Sequence, residues 1–581
     1  MPNKTYYTKL SSSNSLLFNQ WDLIILLILF SLLTVFVWGA QQMAVPYTLG
    51  KVIPISLSPH MLPKYAAQTV IRMGIALLLS LVFTFTIATL AAKNKRAERL
   101  ILPLIDIMQS VPVLGFLSIT VLGFIYLFPG SRLGPECAAI FAIFTSQVWN
   151  MALSFYQSLR TVPKELTEAA NMFHLSHWQR FWRLEVPFAT PSLIWNIMMS
   201  LSAGWFFVVA CEAISVNQQN ISLPGIGSYI AKATLESNYS AITYVILTMF
   251  IVIMLYDQIL FRPLVAWSEK FKLEPDPNYK GEPWFLNLLH SAKLTQYFRI
   301  GLTRLRLLMT FPWMKRKKRI PIYTLSRATR RVISKTVALT WTIFLGIAGL
   351  VLGFFLLKFI YTEVTLSETF LVLQLGLITA LKIMVLIIVC SLIWVPVGVW
   401  IGLNPQYSRI AQPIAQFLAA FPANLVYPVL FMFIVAYNLN VSIWSAPLMI
   451  LGTQWYILFN VIAGASSLPQ ELHLVTKNYG VKKWLWWRKF ILPAIFPYYI
   501  TGAMTAAGGS WNASIVAEVV TWGGKTLHAK GLGAYITEQT TVGNFPRIAL
   551  GIAVMSLYVI VINRLLWHKL YEFAEKRYQL G

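Results

Sequence analysis

Apolar residues are gathered into runs near 20 residues long, the length a helix needs to cross a hydrocarbon layer of about 30 Å. Such runs fall at about 22–39, 65–92, 112–128, 137–158, 187–211 and 239–261. Past a polar, basic stretch they resume at about 337–360, 369–401, 422–437, 442–464, 493–517 and 544–566. The pattern predicts an all-α integral membrane protein with twelve transmembrane helices. The long second and eighth runs leave room for interfacial turns.

Composition agrees with this reading. Of 581 residues, 57% are hydrophobic and 12% charged, where soluble domains run near a quarter charged. Disorder and a secreted disulfide framework are excluded. The three cysteines, Cys137, Cys211 and Cys390, sit in or against apolar runs and read as buried thiols.

The net charge of +26 is explained by where the cations fall. Lys93–Arg99, the connection carrying Arg160, Lys164, Arg180 and Arg183, and the stretch from Arg262 to Lys335 lie on one side. Lys477, Lys482, Lys483, Arg488 and Lys489, and the tail with Lys569, Lys576 and Arg577, join them. The opposite side has only scattered charges, such as Lys51, Lys64, Arg132, Lys232, Lys525 and Lys530. By the positive-inside rule both termini and the central linker are expected to be cytoplasmic. Lys4 and Lys9 ahead of the run from Trp21 read as an uncleaved signal-anchor. The basic run Lys315–Arg319 reads as a linker facing lipid headgroups, with no nucleic acid as partner.

The chain repeats itself once. An offset of 310 carries Thr69, Arg72, Pro103 and Pro112 onto Thr379, Lys382, Pro413 and Pro422. Downstream the offset is 306, carrying Pro163, Pro187, Trp205 and Glu212 onto Pro469, Pro493, Trp511 and Glu518. It also carries the Gly225–Ile230 segment onto Gly531–Ile536. The four-residue difference is expected at the Phe128–Ser131 turn. The expected division is a first repeat at 1–262, a linker at 263–335 and a second repeat at 336–581. Six spans per repeat put both halves into the membrane in the same direction, around an axis along the membrane normal that encloses a central pathway.

The loops at 162–187 and 468–493 also match. The first reads Glu168-Ala169-Ala170, three residues, His174, then Leu184-Glu185-Val186-Pro187. The second has Leu474-Val475-Thr476 in place of the Glu-Ala-Ala, but keeps Gly480 and the closing Phe490-Ile491-Leu492-Pro493. A Pro near the start presets the first turn of a short helix, and a Gly after its last turn allows the left-handed turn into a second.

These loops resemble the EAA loop of permease subunits in binding-protein-dependent ABC importers, where the His174 position is Gly. The resemblance covers nearly the whole chain. It implies a helix–turn–helix docked on an ATPase, with Glu165, Glu168, Ala169, Ala170, His174, Glu471 and Gly480 as coupling residues and two unequal docking sites. It also implies two copies of a cytoplasmic ABC ATPase, a periplasmic or lipid-anchored binding protein, and a bacterial inner membrane. ATP and Mg would be bound by the ATPase subunits, with no cofactor in this chain. Consistently, Gly524-Lys525-Thr526 is no P-loop, since Val519 stands where the first Gly belongs. His174 and His177 have no further ligands around them and read as a surface pair rather than a metal site.

Charges inside spans are costly and point to structure or function. Arg72 and Glu212 are expected at similar depth near the outer end, and Lys382 and Glu518 repeat them. Two readings stand: an ion pair between spans, or a cationic ring attracting an anion. Trp205 and Trp511 are candidates for the pathway wall. Gly225, Gly227, Gly531 and Gly533 make tight turns, read as an outer gate or as plain re-entrant turns.

The Trp and Glu placement and the Gly-x-Gly-x-Tyr-Ile turn resemble the nitrate/sulfonate/taurine branch. That implies import of a small anion such as nitrate, sulfonate or bicarbonate, by alternating access driven by separate ATPases. The chain itself would be no enzyme. The alternative is a twelve-span secondary transporter driven by an ion gradient. It would call for carboxylates or His near mid-span, whereas Asp106 lies near a cytoplasmic end and has Gln416 as its counterpart.

Overall fold

A computed structural model describes residues 53–216, 219–271, 283–291, 349–468 and 470–578, with isolated positions within 26–41 and 340–347. The expected first span, the start of the seventh and most of the basic linker, with Lys315–Arg319, lie outside the described residues.

Among the described residues, seven helices are long and apolar enough to cross a membrane: Pro59–Lys93, Leu133–Arg160, His177–Glu212, Tyr239–Phe271, Leu366–Gly402, Lys483–Ala517 and Phe545–Ala574. At 1.5 Å per residue, the 37 residues of Leu366–Gly402 reach about 56 Å, well beyond the hydrocarbon layer.

The third span of each half lies where expected, but it is short and bent away from the helix before it. Val113–Leu127 has 15 residues, about 22 Å, and meets Lys95–Gln109 at 90°. Its counterpart Tyr427–Ala436 has only 10 residues. Both follow an X-Pro step: Val111 before Pro112 and Phe421 before Pro422 are extended, with ψ of 125° and 126°. The proline ring disfavours the helical conformation in the residue before it, and at these two steps the chain turns. The fourth span also differs between halves. Leu133–Arg160 is continuous, whereas Val441–Leu451 and Gln454–Ser466 meet at 41°.

This break corrects the placement of the four-residue difference. Residues 113–127 answer 423–436, the turn 128–132 answers 437–440, and 133–160 answers 441–466. The second half is therefore shorter by one residue, one residue and two residues in turn. The difference is spread over two helices and the turn between them.

Within the first half the most extensive packing joins Leu133–Arg160 to Val186–Glu212. Ala138, Ala139, Ala142 and Ala152 are buried on one helix, and Ala189, Ser200, Ser202 and Gly204 on the other. Small side chains let apolar helices approach closely in lipid, where the hydrophobic effect gives no drive to association. The halves interlock through their bent segments. Val113–Leu127 packs on Phe545–Ile562 of the second half, and Pro405–Ala420 on Val186–Glu212 of the first. The Val113 N–H donates to Asn512 Oδ1 at 2.8 Å, and Asn424 Nδ2 donates to the Phe206 carbonyl at 3.0 Å.

Among the described residues, two β-hairpins interrupt the helical architecture, and the sequence pattern does not predict them. Ala213–Val216 pairs with Gln219–Ser222, and Val519–Trp522 with Lys525–His528, again 306 residues apart. Gly523 and Gly524 have φ of 55° and 76°, the two left-handed residues of a tight hairpin turn. Gly524-Lys525-Thr526 is thus a turn and the start of a strand. The Gly523 N–H donates to the Thr234 carbonyl at 3.2 Å, so this hairpin reaches across to the other half.

Candidate coupling loops and buried charge sites

Both loops fold as a short helix, a left-handed turn and a second helix. Lys164–Met172 follows an extended Pro163, and Gln470–Asn478 is its counterpart. His174 has φ of 51° and Gly480 of 63°. Leu175 N–H then donates to the Ala170 carbonyl at 3.1 Å, and Val481 N–H to the Thr476 carbonyl at 3.0 Å. These are the closing bonds of a Schellman cap. His174 therefore takes the glycine's conformation, at a cost of about 1 kcal/mol.

Glu165, Glu168 and His174 are exposed, Ala169 is half-buried and Ala170 is buried. Glu471 lies in the second loop helix, with its side chain outside the described residues. Leu474 and Val475 are exposed where the first loop has Glu168 and Ala169. Both turns carry an aromatic at the tip, Phe173 at 78% exposure and Tyr479 at 82%.

The loop bases differ. In the first half, buried Glu185 holds Lys93 at 2.8 Å and Arg180 at 3.1 Å, tying the end of the second span to the loop. Repeat register puts Leu403, Trp486 and Ile491 at these places in the second half. No ion pair can form there.

At the hairpin end the charged residues and the glycine turns form one unit. Glu212 Oε1 accepts from Arg72 Nη1 at 2.6 Å and from the Thr69 hydroxyl at 2.7 Å, while Oε2 accepts from the Gly227 N–H at 2.7 Å. In the second half Glu518 Oε1 accepts from Lys382 at 3.0 Å and Thr379 at 3.3 Å. Its Oε2 accepts from the N–H groups of Gly533 and Ala534, at 2.8 and 3.2 Å. Each acid thus caps a short helix, Ile226–Leu235 or Leu532–Val542, whose free N–H groups favour an anion. Close approach explains the glycines. A Cβ on Gly225 or Gly531 would collide with the glutamate, and one on Gly227 or Gly533 with the carbonyl of Val209 or Ser514.

The expected pair of Arg72 with Glu212 is in fact a triad. Arg72 also holds Glu136, Nε to Oε2 at 2.6 Å and Nη2 to Oε1 at 2.7 Å. Repeat register hides this acid, because Ser442 and Ala446 stand at its two counterpart positions. Thr69 and Thr379 are matched in sequence without a role; here each hydroxyl bridges its acid to the turn. Arg72 is fully buried and offers no surface to a passing anion.

Trp205 and Trp511 are buried against the last spans, Trp205 edge-on to Tyr256 at 5.5 Å and Trp511 stacked on Tyr558 at 6.5 Å. They do not border the cavity of about 60 Å³ between the halves. Phe206 and Phe207 of the first half face it, with Phe421, Tyr427, Thr453 and Tyr456 of the second. Its lining carries no charged side chain.

Residues 84–262 and again 394–566 match the family described as binding-protein-dependent transport system inner membrane component. The chain belongs to this family. Its relatives include the bicarbonate transport system permease protein CmpB of Synechococcus elongatus, 28% identical over 176 residues, which are 30% of this chain and 60% of that protein. The nitrate import permease protein NrtB of Leptolyngbya laminosa is 26% identical over 175 residues, 29% of this chain and 58% of its own. The trimethylamine N-oxide transport system permease protein TmoV of Pelagibacter ubique is 24% identical over 207 residues, 36% of this chain and 26% of its own. The chain thus spans about 60% of the first relatives it matches. The duplication seen by offset is two copies of one family domain, and the relatives include permeases named for small anions, as the resemblance implies.

Proposed function

We propose that this chain is the membrane-spanning subunit of an ATP-driven importer for a small anion of the bicarbonate or nitrate kind, with both loops docking on ATPase subunits. The loops face the cytoplasm in this reading, and a binding protein delivers solute at the hairpin end. The observation that carries it is the pair of loop helices. Each is closed by a left-handed residue with the same cap, and each presents an exposed aromatic at the same place in its half. The CmpB and NrtB names support the substrate class. The cavity between the halves, bordered by hydroxyl and aromatic groups, is the pathway in a closed conformation, and alternating access widens it.

Cysteine crosslinking tests the docking. Ala170 is buried and unsuited to it, but Phe173 and Tyr479 are exposed. With Phe173→Cys and Tyr479→Cys, each position is expected to crosslink to a co-purified ATPase, one subunit per loop. Crosslinks from hairpin residues such as Lys525 in place of these two would invert the topology and remove the mechanism.

A further inference from the structure

The two loops are anchored by different chemistry. Residues 162–187 hold three cations and three acids, whereas 468–493 hold five cations and one acid. The net charges are therefore 0 and +4. In the first loop, Glu185 takes up Lys93 and Arg180 internally. In the second, Lys482, Lys483, Arg488 and Lys489 are all exposed, and among the described residues none has a carboxylate partner. Trp484 stands among them at 71% exposure and Leu485 at 52%.

Position fixes what can meet these groups. Lys483 opens the 35-residue helix that runs to Ala517, about 52 Å long. A helix of that length overruns the hydrocarbon layer and places its first turns among headgroups. Lysine and arginine beside exposed tryptophan at that depth suit an anionic headgroup, with the indole and leucine at the acyl boundary. A soluble phosphate would meet the cations but leave Trp484 and Leu485 without a partner.

We infer that the base of the second loop is a binding site for anionic phospholipid, whose headgroup phosphates hold Lys482, Lys483, Arg488 and Lys489 in place of the internal brace that Glu185 provides in the first half. The inference concerns the membrane boundary of the loop. It therefore stands apart from whether the loop tip docks an ATPase.

Repeat register supplies an internal control, since Trp178 is the counterpart of Trp484. The full chain is reconstituted in nanodiscs of phosphatidylcholine with a minor fraction of phosphatidylglycerol. A photoreactive phenylalanine analogue replaces Trp484 or, separately, Trp178, and crosslinked lipid is counted by mass spectrometry. Position 484 is expected to label phosphatidylglycerol about fivefold above its bulk fraction, the effect of one net cation–surface interaction, and position 178 near the bulk fraction. Lys482→Gln, Lys483→Gln, Arg488→Gln and Lys489→Gln together are expected to return position 484 to the bulk ratio. Equal ratios at both positions, or enrichment that survives the four substitutions, would overturn the site. So would labelling of ATPase in place of lipid when the complex is assembled, because an acidic protein surface would then occupy it. Loss of ATPase crosslinks from Phe173 and Tyr479 with lipid enrichment intact would refute only the docking.

Discussion

Replacing Arg72 with alanine is expected to abolish accumulation of folded protein, and adding Glu212→Ala is expected not to restore it. Arg72 is fully buried and meets both Glu136 and Glu212 at 2.6 Å. Removing one member of such a buried cluster leaves uncompensated charge and costs about 3–5 kcal/mol, a large share of the stability of an ordinary domain. Glu212 would keep the Thr69 hydroxyl and the Gly227 N–H. Both described side-chain hydrogen bonds to Glu136 come from Arg72, so the double change strands Glu136. Adding Glu136→Gln should recover much of the yield. Lys382→Ala should be milder, because Lys382 is 13% exposed and Glu518 keeps three other donors. Size-exclusion chromatography of detergent extracts reads all four variants. A double mutant at wild-type yield would show that Glu136 does not depend on Arg72.

The second large effect falls on transport alone. Phe173→Asp and Tyr479→Asp place a charge where an exposed aromatic is proposed to enter an ATPase groove. An anchor of this kind is worth about 2 kcal/mol or more on truncation, about thirtyfold in a docking constant. Each substitution is expected to lower ATP-driven uptake at least tenfold at unchanged yield, because both side chains are exposed and support no core. The leucine and valine at 474 and 475, in place of an acid, give the second loop a more apolar contact. Raising the salt concentration should therefore weaken docking of the first loop more than the second. Uptake that persists in both variants would remove the tips from the interface.

Much of this architecture is legible in the chain because membrane helices announce themselves by length and hydropathy, and a duplication can be checked by subtraction. The offset of 306 holds through the loop helices, the left-handed caps, the hairpins and the short helices behind Glu212 and Glu518. Features carried by one half alone are a different matter. Glu136 and Glu185 have no acidic counterpart, so the comparison that exposes Arg72 and Glu212 passes over them. The hairpins are not legible, because four-residue strands next to long spans leave no periodic signal. The starts of the third spans at Pro112 and Pro422 are legible, but not the bend there, because an apolar run has the same composition whether it crosses the membrane or turns within it. The Gly-x-Gly turns and the glutamates read as separate motifs because Gly227 and Gly533 lie fifteen residues from their acids, across a hairpin that only the fold closes.

Uptake by proteoliposomes holding this chain with its ATPase and binding protein tests the central claim most directly. Labelled bicarbonate and nitrate are supplied at the hairpin face, with either ATP inside or an imposed pH step. The account predicts accumulation that requires ATP hydrolysis and the binding protein, with no uptake on the pH step alone. Accumulation driven by the pH step without ATP would contradict it and make the chain a secondary transporter.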